Sequence, residues 1–248
     1  MRLNVNSKQK KPKYYISEFF YEYEVGIALI GSELLNDSPG CVNELWSDVL
    51  GEIANIGSGH AATSLSALLG RPITQSLPKV KILPLSEVAS ALGGAEKIAA
   101  AGMLTISGDV SGYLVMMLDI NQAEKIVSMV KGVPSKNNGK PNLQRFSALD
   151  KSVLSETVNI IGGSYLTAVC EFTDLKAMPS IPYLCVDMVG AVMNMAIAEI
   201  GKTGDYVILF QSELSNDEES IIDDLFLIPD ETSCGKIMAS LGLSDGIK

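Results

Sequence analysis

The sequence predicts a mixed α/β (α+β) fold, an internally duplicated domain whose two pseudo-twofold halves set long helices on a largely antiparallel sheet. Three observations lead there. Apolar residues make up 47% of the 248 and charged residues 19%, so the chain can bury a sizeable core. Helix and strand patterns follow the same order on either side of the linker Lys136-Asn137-Asn138-Gly139-Lys140-Pro141. A segment of the first half also superposes on the second at a constant offset of 104 residues, Glu52 falling on Glu156. A repeat of that length is far longer than a solenoid unit.

Taken in order, residues 1–40 hold five basic residues (Arg2, Lys8, Lys10, Lys11, Lys13) and five acidic ones (Glu18, Glu22, Glu24, Glu33, Asp37). The net charge of −10 therefore belongs to residues 41–248. Ser38-Pro39-Gly40 punctuates the chain, leaving an N-terminal extension of unknown role before one domain with halves at about 41–143 and 144–248. A helix is expected from Val42 to about Leu69, stopped by Gly70 and Pro72. Pro78 and Pro84 mark a loop-and-strand passage, Glu87–Ala101 reads as helix, and Gly102–Ile106 and Tyr113–Leu118 read as strands. Asn121 opens another helix, to about Lys131. Beyond the linker come a helix over about Ala148–Phe172, a passage through Pro179 and Pro182, and a helix over Val186–Ile200. Strands at Tyr206–Gln211 and Leu225–Ile228 and a last helix at about Ser233–Leu241 complete the order.

The repeat is visible in particular residues. Glu52-Ile53-Ala54-Asn55-Ile56 falls on Glu156-Thr157-Val158-Asn159-Ile160, and the same offset matches Gly59 with Gly163, Thr63 with Thr167 and Pro78 with Pro182. Further on, Tyr113–Asp119 resembles Asp224–Asp230 at an offset of 111; the extra residues fit the acidic stretch around Ser215–Ser220. Asp48, Glu52 and Asn55 stand at i, i+4 and i+7, one stripe of a helix that Gly59 extends, with Trp46, Val49, Ile53 and Ile56 on the neighbouring core-facing arc. Ser152, Glu156, Asn159 and Gly163 repeat the stripe. Glu and Asn on one helix read as a solvated face. Two glycines at matched mid-helix places, each costing about 1 kcal/mol relative to Ala, call for a reason, and close approach of another backbone is one.

The pattern Asp48-x3-Glu52-x2-Asn55-x22-Pro78, repeated as Ser152-x3-Glu156-x2-Asn159-x22-Pro182, resembles the CheC family of chemotaxis phosphatases, within the CheC/CheX/FliY group. The resemblance runs from about Val42 to Leu243. CheX-like members typically carry one active motif, and FliY-like members carry further domains, so CheC is the nearest pattern. The resemblance implies hydrolysis of the aspartyl-phosphate of the response regulator CheY. Asn55 and Asn159 would position the attacking water, Glu52 and Glu156 would dock the receiver's lysine, and Asp48, Ser152, Pro78 and Pro182 would support them. It also implies regulation by the receptor deamidase CheD, with Asp187, Met188 and Gly190 as contacts on a helix rich in methionine. No cofactor or metal of the chain's own is expected; Mg²⁺ is expected in the receiver, the phosphorylated CheY. An acyl phosphate is already reactive, so placing a water in line is most of the task, and a carboxamide donates to and accepts from water without titrating. The alternative is a non-catalytic adaptor that binds CheD or a receiver. A flagellar-switch component is a third reading, disfavoured because no switch domain follows in the sequence.

Other classes are disfavoured by composition. An acidic chain with a pI near 4.6 lacks the clustered cations of a nucleic-acid binder. Four scattered cysteines (Cys41, Cys170, Cys185, Cys234) and a single histidine, His60, supply no usual zinc set and no secreted disulfide framework, which favours a cytoplasmic protein. His60 falls on Ser164 in the repeat, so a shared mechanism does not need it. No membrane insertion is expected, because Cys185–Ile200 is interrupted by Asp187, Asn194 and Glu199. Glu218, Glu219, Asp223 and Asp224 read as a solvated loop without the spacing of a Ca²⁺ loop.

Overall fold

The computed structural model describes residues 44–132, 146–200, 206–216 and 220–241. The extension 1–40, the linker 136–141, the side chain of Trp46 and residues Glu218 and Glu219 lie outside the described residues.

The first helix, α1 (Glu44–Leu69), ends where Gly70 takes a left-handed φ of 64°, a conformation that glycine adopts without a Cβ penalty. Strands β1 (Thr74–Gln75) and β2 (Lys79–Pro84) follow. The helix expected over Glu87–Ala101 is mostly absent. A 3-10 turn at Leu85–Glu87 leads into the short helix α2 (Val88–Ala91), and Gly93 and Gly94, at φ 96° and 115°, end it. Ile98 to Ala101 instead open β3 (Ile98–Gly108), which pairs with β4 (Gly112–Asp119). Ala99, Ala100 and Ala101 are good helix formers, yet burial within the sheet overrides that preference. Helix α3 (Ile120–Lys131) starts on Asp119, whose side chain accepts from the Asn121 N–H, and stops at left-handed Gly132.

The second half repeats the order. Helix α4 (Ala148–Thr173) opens on a capping box in which the Ser147 hydroxyl accepts from the Asp150 N–H and the Asp150 carboxylate accepts from the Ser147 N–H. Asp150 also pairs with Lys131 at 2.8 Å, pinning α4 to α3. Burial alone would push the Asp150 carboxyl up, but the bonds from Lys131 and Ser147 outweigh it and hold it below the usual carboxylate range. The helix ends with Asp174 at φ 55°, the place that the 104-residue offset matches to Gly70. Next come β5 (Ala177–Pro179), β6 (Tyr183–Met188), α5 (Val189–Ile200), β7 (Tyr206–Ser215), β8 (Ser220–Pro229) and α6 (Glu231–Ser240). The helix expected from Val186 therefore starts three residues later. Val186 pairs with Ala100 and Asp187 with Ala99, and ladder pairing wins for a short run that is ambiguous by pattern alone.

All pairings are antiparallel, in the order β1-β7-β8-β4-β3-β5, with β2 extending β1 along β7 and β6 extending β5 along β3. Each half thus lends its first two strands to the other half's sheet. In the central β4–β8 ladder, Val115 faces Phe226, and the 111-residue offset carries one onto the other. One sheet face packs on α1, α3, α4 and α6 through residues such as Ile53, Leu104, Ile161, Phe210 and Leu225, and the other packs on α2 and α5 through Val115, Val192, Met193 and Phe226. Fully burying such side chains contributes about 1.5–3 kcal/mol each. With both faces covered, β4 and the Leu225–Ile228 part of β8 read as continuous apolar runs, which is why they were visible in sequence.

Of the stretch expected as a solvated acidic loop, the described part is strand: Ser215 pairs with Ser220 across β7 and β8, and Asp223 lies fully buried inside β8, taking the Ser212 hydroxyl at 2.6 Å.

Candidate functional site

The two motif helices match end to end at the 104-residue offset, and so do β2 and β6. On α1, Leu50, Ile53, Ala54, Ala61 and Leu65 are buried, while Asp48 and Glu52 are exposed and Asn55 is half-buried. On α4, Val153, Leu154, Val158, Ile161 and Tyr165 are buried, while Ser152, Glu156 and Asn159 are exposed. Each helix therefore turns one carboxylate and one carboxamide toward solvent and the rest of its arc into the core. Ile53 faces the core as expected, with Val49 and Ile56 packed at its edge.

The glycines need separating. Gly163 has nothing within 4 Å of where a Cβ would stand, and at Gly59 the nearest group is the Gln75 side-chain amide at 3.5 Å. Among the described residues no other backbone approaches either, so the close approach expected there is not found within them. It occurs one or two residues away. A Cβ on Gly57 would meet the Tyr165 backbone and ring, and one on Gly162 would meet the Leu104 side chain. Thr63 donates to the Gly59 carbonyl at 2.9 Å and Thr167 to the Gly163 carbonyl at 2.8 Å, so each stripe ends in the same back-bonded turn. Ser152 likewise donates back to Ala148.

Pro78 is buried and Pro182 half-buried, and each stands immediately before its strand, β2 or β6. Upstream, the Ser76 N–H donates to the Glu213 carbonyl at 2.9 Å and the Ser180 N–H to the Thr105 carbonyl at 2.8 Å. Reading the repeat residue by residue would have found Ser76-Leu77-Pro78 and Ser180-Ile181-Pro182. What it would not have found is Gln75, whose amide donates to the Asn55 carbonyl at 3.4 Å; the matched residue in the second half is Pro179.

Beneath α1 lies a polar cluster inside the core. Ser58 is buried and donates to the Asn55 carbonyl at 3.2 Å. Tyr165 Oη lies near the Ser58 and Ser212 hydroxyls without a hydrogen bond of full geometry to either, and Asp223 Oδ2 has no partner. Burial pushes the Tyr165 phenol well above its ordinary value and the Asp223 carboxyl up to about 7. Among the described residues no group of three or more His, Cys, Asp or Glu could hold a metal ion, and no helix is long and apolar enough to cross a membrane. Cys170, Cys185 and Cys234 are unpaired thiols.

Two exposed helices carrying the same Glu and Asn, each backed by a proline-led strand, invite comparison with known proteins. A family model described as the CheC-like family matches residues 46–82, which hold Asp48, Glu52, Asn55 and Pro78. A relative from Bacillus subtilis (strain 168), the CheY-P phosphatase CheC, is 31% identical over 205 residues, covering 82% of this chain and 97% of its own. The chain belongs to the CheC family. The flagellar motor switch phosphatase FliY of the same organism is 27% identical over 128 residues, 52% of this chain but 32% of its own length. In fold, this CheC-family chain resembles the crystal structure of Thermotoga maritima FliY, with a TM-score of 0.63 at 20% identity, covering 83% of this chain and all of that one.

Of the three residues expected as a helical partner face, two are placed on a strand instead and the third is on the helix. Asp187 and Met188 end strand β6, both exposed, and the Asp187 carboxylate accepts from the Met188 N–H. Gly190 is on α5, where its N–H donates to the Ala95 carbonyl and a Cβ would stand 3.1 Å from that of Ala95, so its small size serves packing within the chain. Of the methionines there, Met193 is buried and Met195 half-buried.

Proposed function

We propose that this CheC-family protein hydrolyses the aspartyl-phosphate of the chemotaxis receiver CheY, at two sites built on α1 and α4. The observation that carries the reading is the pair of helices, equal in length and offset, each presenting Glu and Asn to solvent in a chain 31% identical to a CheY-P phosphatase. In this reading Asn55 and Asn159 hold a water in line with the phosphorus, the amide accepting from the water and donating to the phosphoryl oxygens. Glu52 and Glu156 pair with a cation of the receiver and fix its orientation. Such positioning supplies rate by lowering the entropic cost of a defined attack geometry. Mg²⁺, which neutralises phosphoryl charge, belongs to the receiver. Asp48 and Ser152 orient the first turn of each site, while Pro78 and Pro182 fix the chain that returns beside it.

Residues 41–248 then act as one duplicated phosphatase domain, with residues 1–40 an extension outside it. Asp187 and Met188, exposed at the end of β6, remain the proposed contacts for the deamidase CheD, and Gly190 supports them by seating α5. The test is the decay of phosphorylated CheY. Asn55→Ala combined with Asn159→Ala abolishes acceleration while the unfolding midpoint stays within about 2 °C; a double variant as fast as wild type removes the mechanism. Binding of CheY without any acceleration by the wild type would make the protein an adaptor.

A further inference from the structure

Leu77 and Ile181 are the two most exposed large apolar side chains among the described residues, 82% and 89% accessible. A lone exposed leucine needs no explanation. These two occupy the same place in the two halves, and they are held in the same way. Each follows a serine whose N–H is tied to the neighbouring strand, and each precedes a proline that biases it to extended backbone. The result is a stiff apolar tip that touches little of its own chain. In the first half it lies beside the motif: Gln75, two residues upstream and therefore within about 7 Å along the chain, reaches the Asn55 carbonyl and the Gly59 patch. In the second half α4 packs on β5, the strand that leads into Ile181.

We infer that Leu77 and Ile181 are the apolar anchors that seat the phosphorylated receiver on the two sites; the inference rests on the phosphatase reading above. The motif stripes themselves consist of Asp48, Glu52, Asn55, Ser152, Glu156 and Asn159, all polar, exposed except for the half-buried Asn55. Polar groups of that kind orient a partner, whereas binding energy concentrates in a few buried apolar anchors surrounded by polar rim. A tip already fixed by a hydrogen bond and a proline loses little freedom when covered. The occupant is the receiver because Leu77 follows the strand whose Gln75 reaches Asn55, Ile181 holds the matched place in the other half, and the glycine turns of the motif helices, empty at Gly163 among the described residues, leave room for its backbone. In the second half the anchor is broader, since Met178 and Tyr183 are also exposed where the first half has Thr74 and Lys79.

Leu77→Ser and Ile181→Ser separate the sites when each is made in the Asn159→Ala and the Asn55→Ala protein. The readouts are KM and kcat for decay of CheY phosphorylated with acetyl phosphate, Kd for CheY loaded with beryllium fluoride, and the unfolding midpoint. Leu77→Ser raises KM about tenfold in the Asn159→Ala protein, in line with losing the burial of one aliphatic side chain, and it weakens one of the two receiver sites about tenfold in Kd in either protein, because Asn→Ala silences a site without removing its docking groups. In the Asn159→Ala protein it leaves kcat within twofold, and in the Asn55→Ala protein it changes neither KM nor kcat. Ile181→Ser does the reverse, and the midpoints do not move. Unchanged KM and Kd in a protein that accelerates decay overturn the inference and leave the phosphatase reading standing. Binding without acceleration overturns the phosphatase reading, and the Kd values still decide the anchors. A change confined to self-association in sedimentation assigns the tips to a second copy of the chain and overturns the inference.

Discussion

Gly57 of α1 lies directly against Tyr165 of α4, close enough that a Cβ on Gly57 would stand 3.0 Å from the Tyr165 Cα and 2.8 Å from its ring. The motif helices cross at this contact, so the spacing between the two candidate sites depends on a missing side chain. Gly57→Ala gains helix propensity but must push α4 aside, because the obstacle includes backbone. The expected net effect is destabilisation by roughly 1–3 kcal/mol, measured by chemical denaturation. A neutral or stabilised variant would show that the helices slide freely past one another.

Gly163 sits one face away and behaves oppositely. Nothing occupies the space of its Cβ, so Gly163→Ala should stabilise the fold by up to about 1 kcal/mol. If a receiver approaches that bare turn, the same variant slows the second site, assayed with Asn55→Ala silencing the first. Greater stability with undiminished activity would remove the approach.

Gln75 makes the two sites unequal. Its amide holds the Asn55 carbonyl, and Pro179 stands in its place in the other half. Gln75→Ala should lower activity several-fold in the Asn159→Ala background and leave the Asn55→Ala protein unaffected. Equal effects in both backgrounds would mean a general loss of structure.

Asp223 makes stability depend on pH. Burial raises its carboxyl from 3.8 to about 7 in the folded chain, so the folded state holds the proton over a range where the unfolded state has released it. The protonated form's advantage is fully present below about pH 4 and is lost as pH rises through 7, roughly 4 kcal/mol for three pH units. Asp223→Asn should flatten the stability profile between those values while keeping an acceptor for Ser212. A profile that still falls as steeply would place the titration on another group, such as Asp224, whose carboxyl burial also raises.

Asp174 closes α4 in the left-handed region at φ 55°, where α1 uses Gly70. Asp174→Gly should raise the unfolding free energy by up to about 1 kcal/mol, since only the side chain's steric penalty is removed. A decrease would show that the aspartate makes a contact that outweighs its strain.

What could be read before any coordinates were the features written in short stretches of chain. The motif helices announced themselves through i, i+4 spacing, a glycine stop on α1 and a repeat that matches both their ends; β4 and the Leu225–Ile228 part of β8 did so through runs of apolar residues covered on both faces. The candidate Glu and Asn pairs came from the same local pattern. Ile98–Ala101 and Val186–Met188 were misread because alanine, valine and methionine fit a helix as well as a buried strand, and only the partner strand chooses between them.

The sequence alone determined that there are two helices with the same exposed carboxylate and carboxamide, because periodicity, caps and prolines act within a few residues. Tertiary structure decided which strands those helices rest on, that β2 joins β7 while β6 joins β3, and that Asp223 is buried rather than solvated. It also decided that Leu77 and Ile181 are exposed rather than buried among the described residues. Such outcomes depend on what arrives from the far side of the chain. Burial and ladder pairing are non-local, and no window of neighbouring residues contains them.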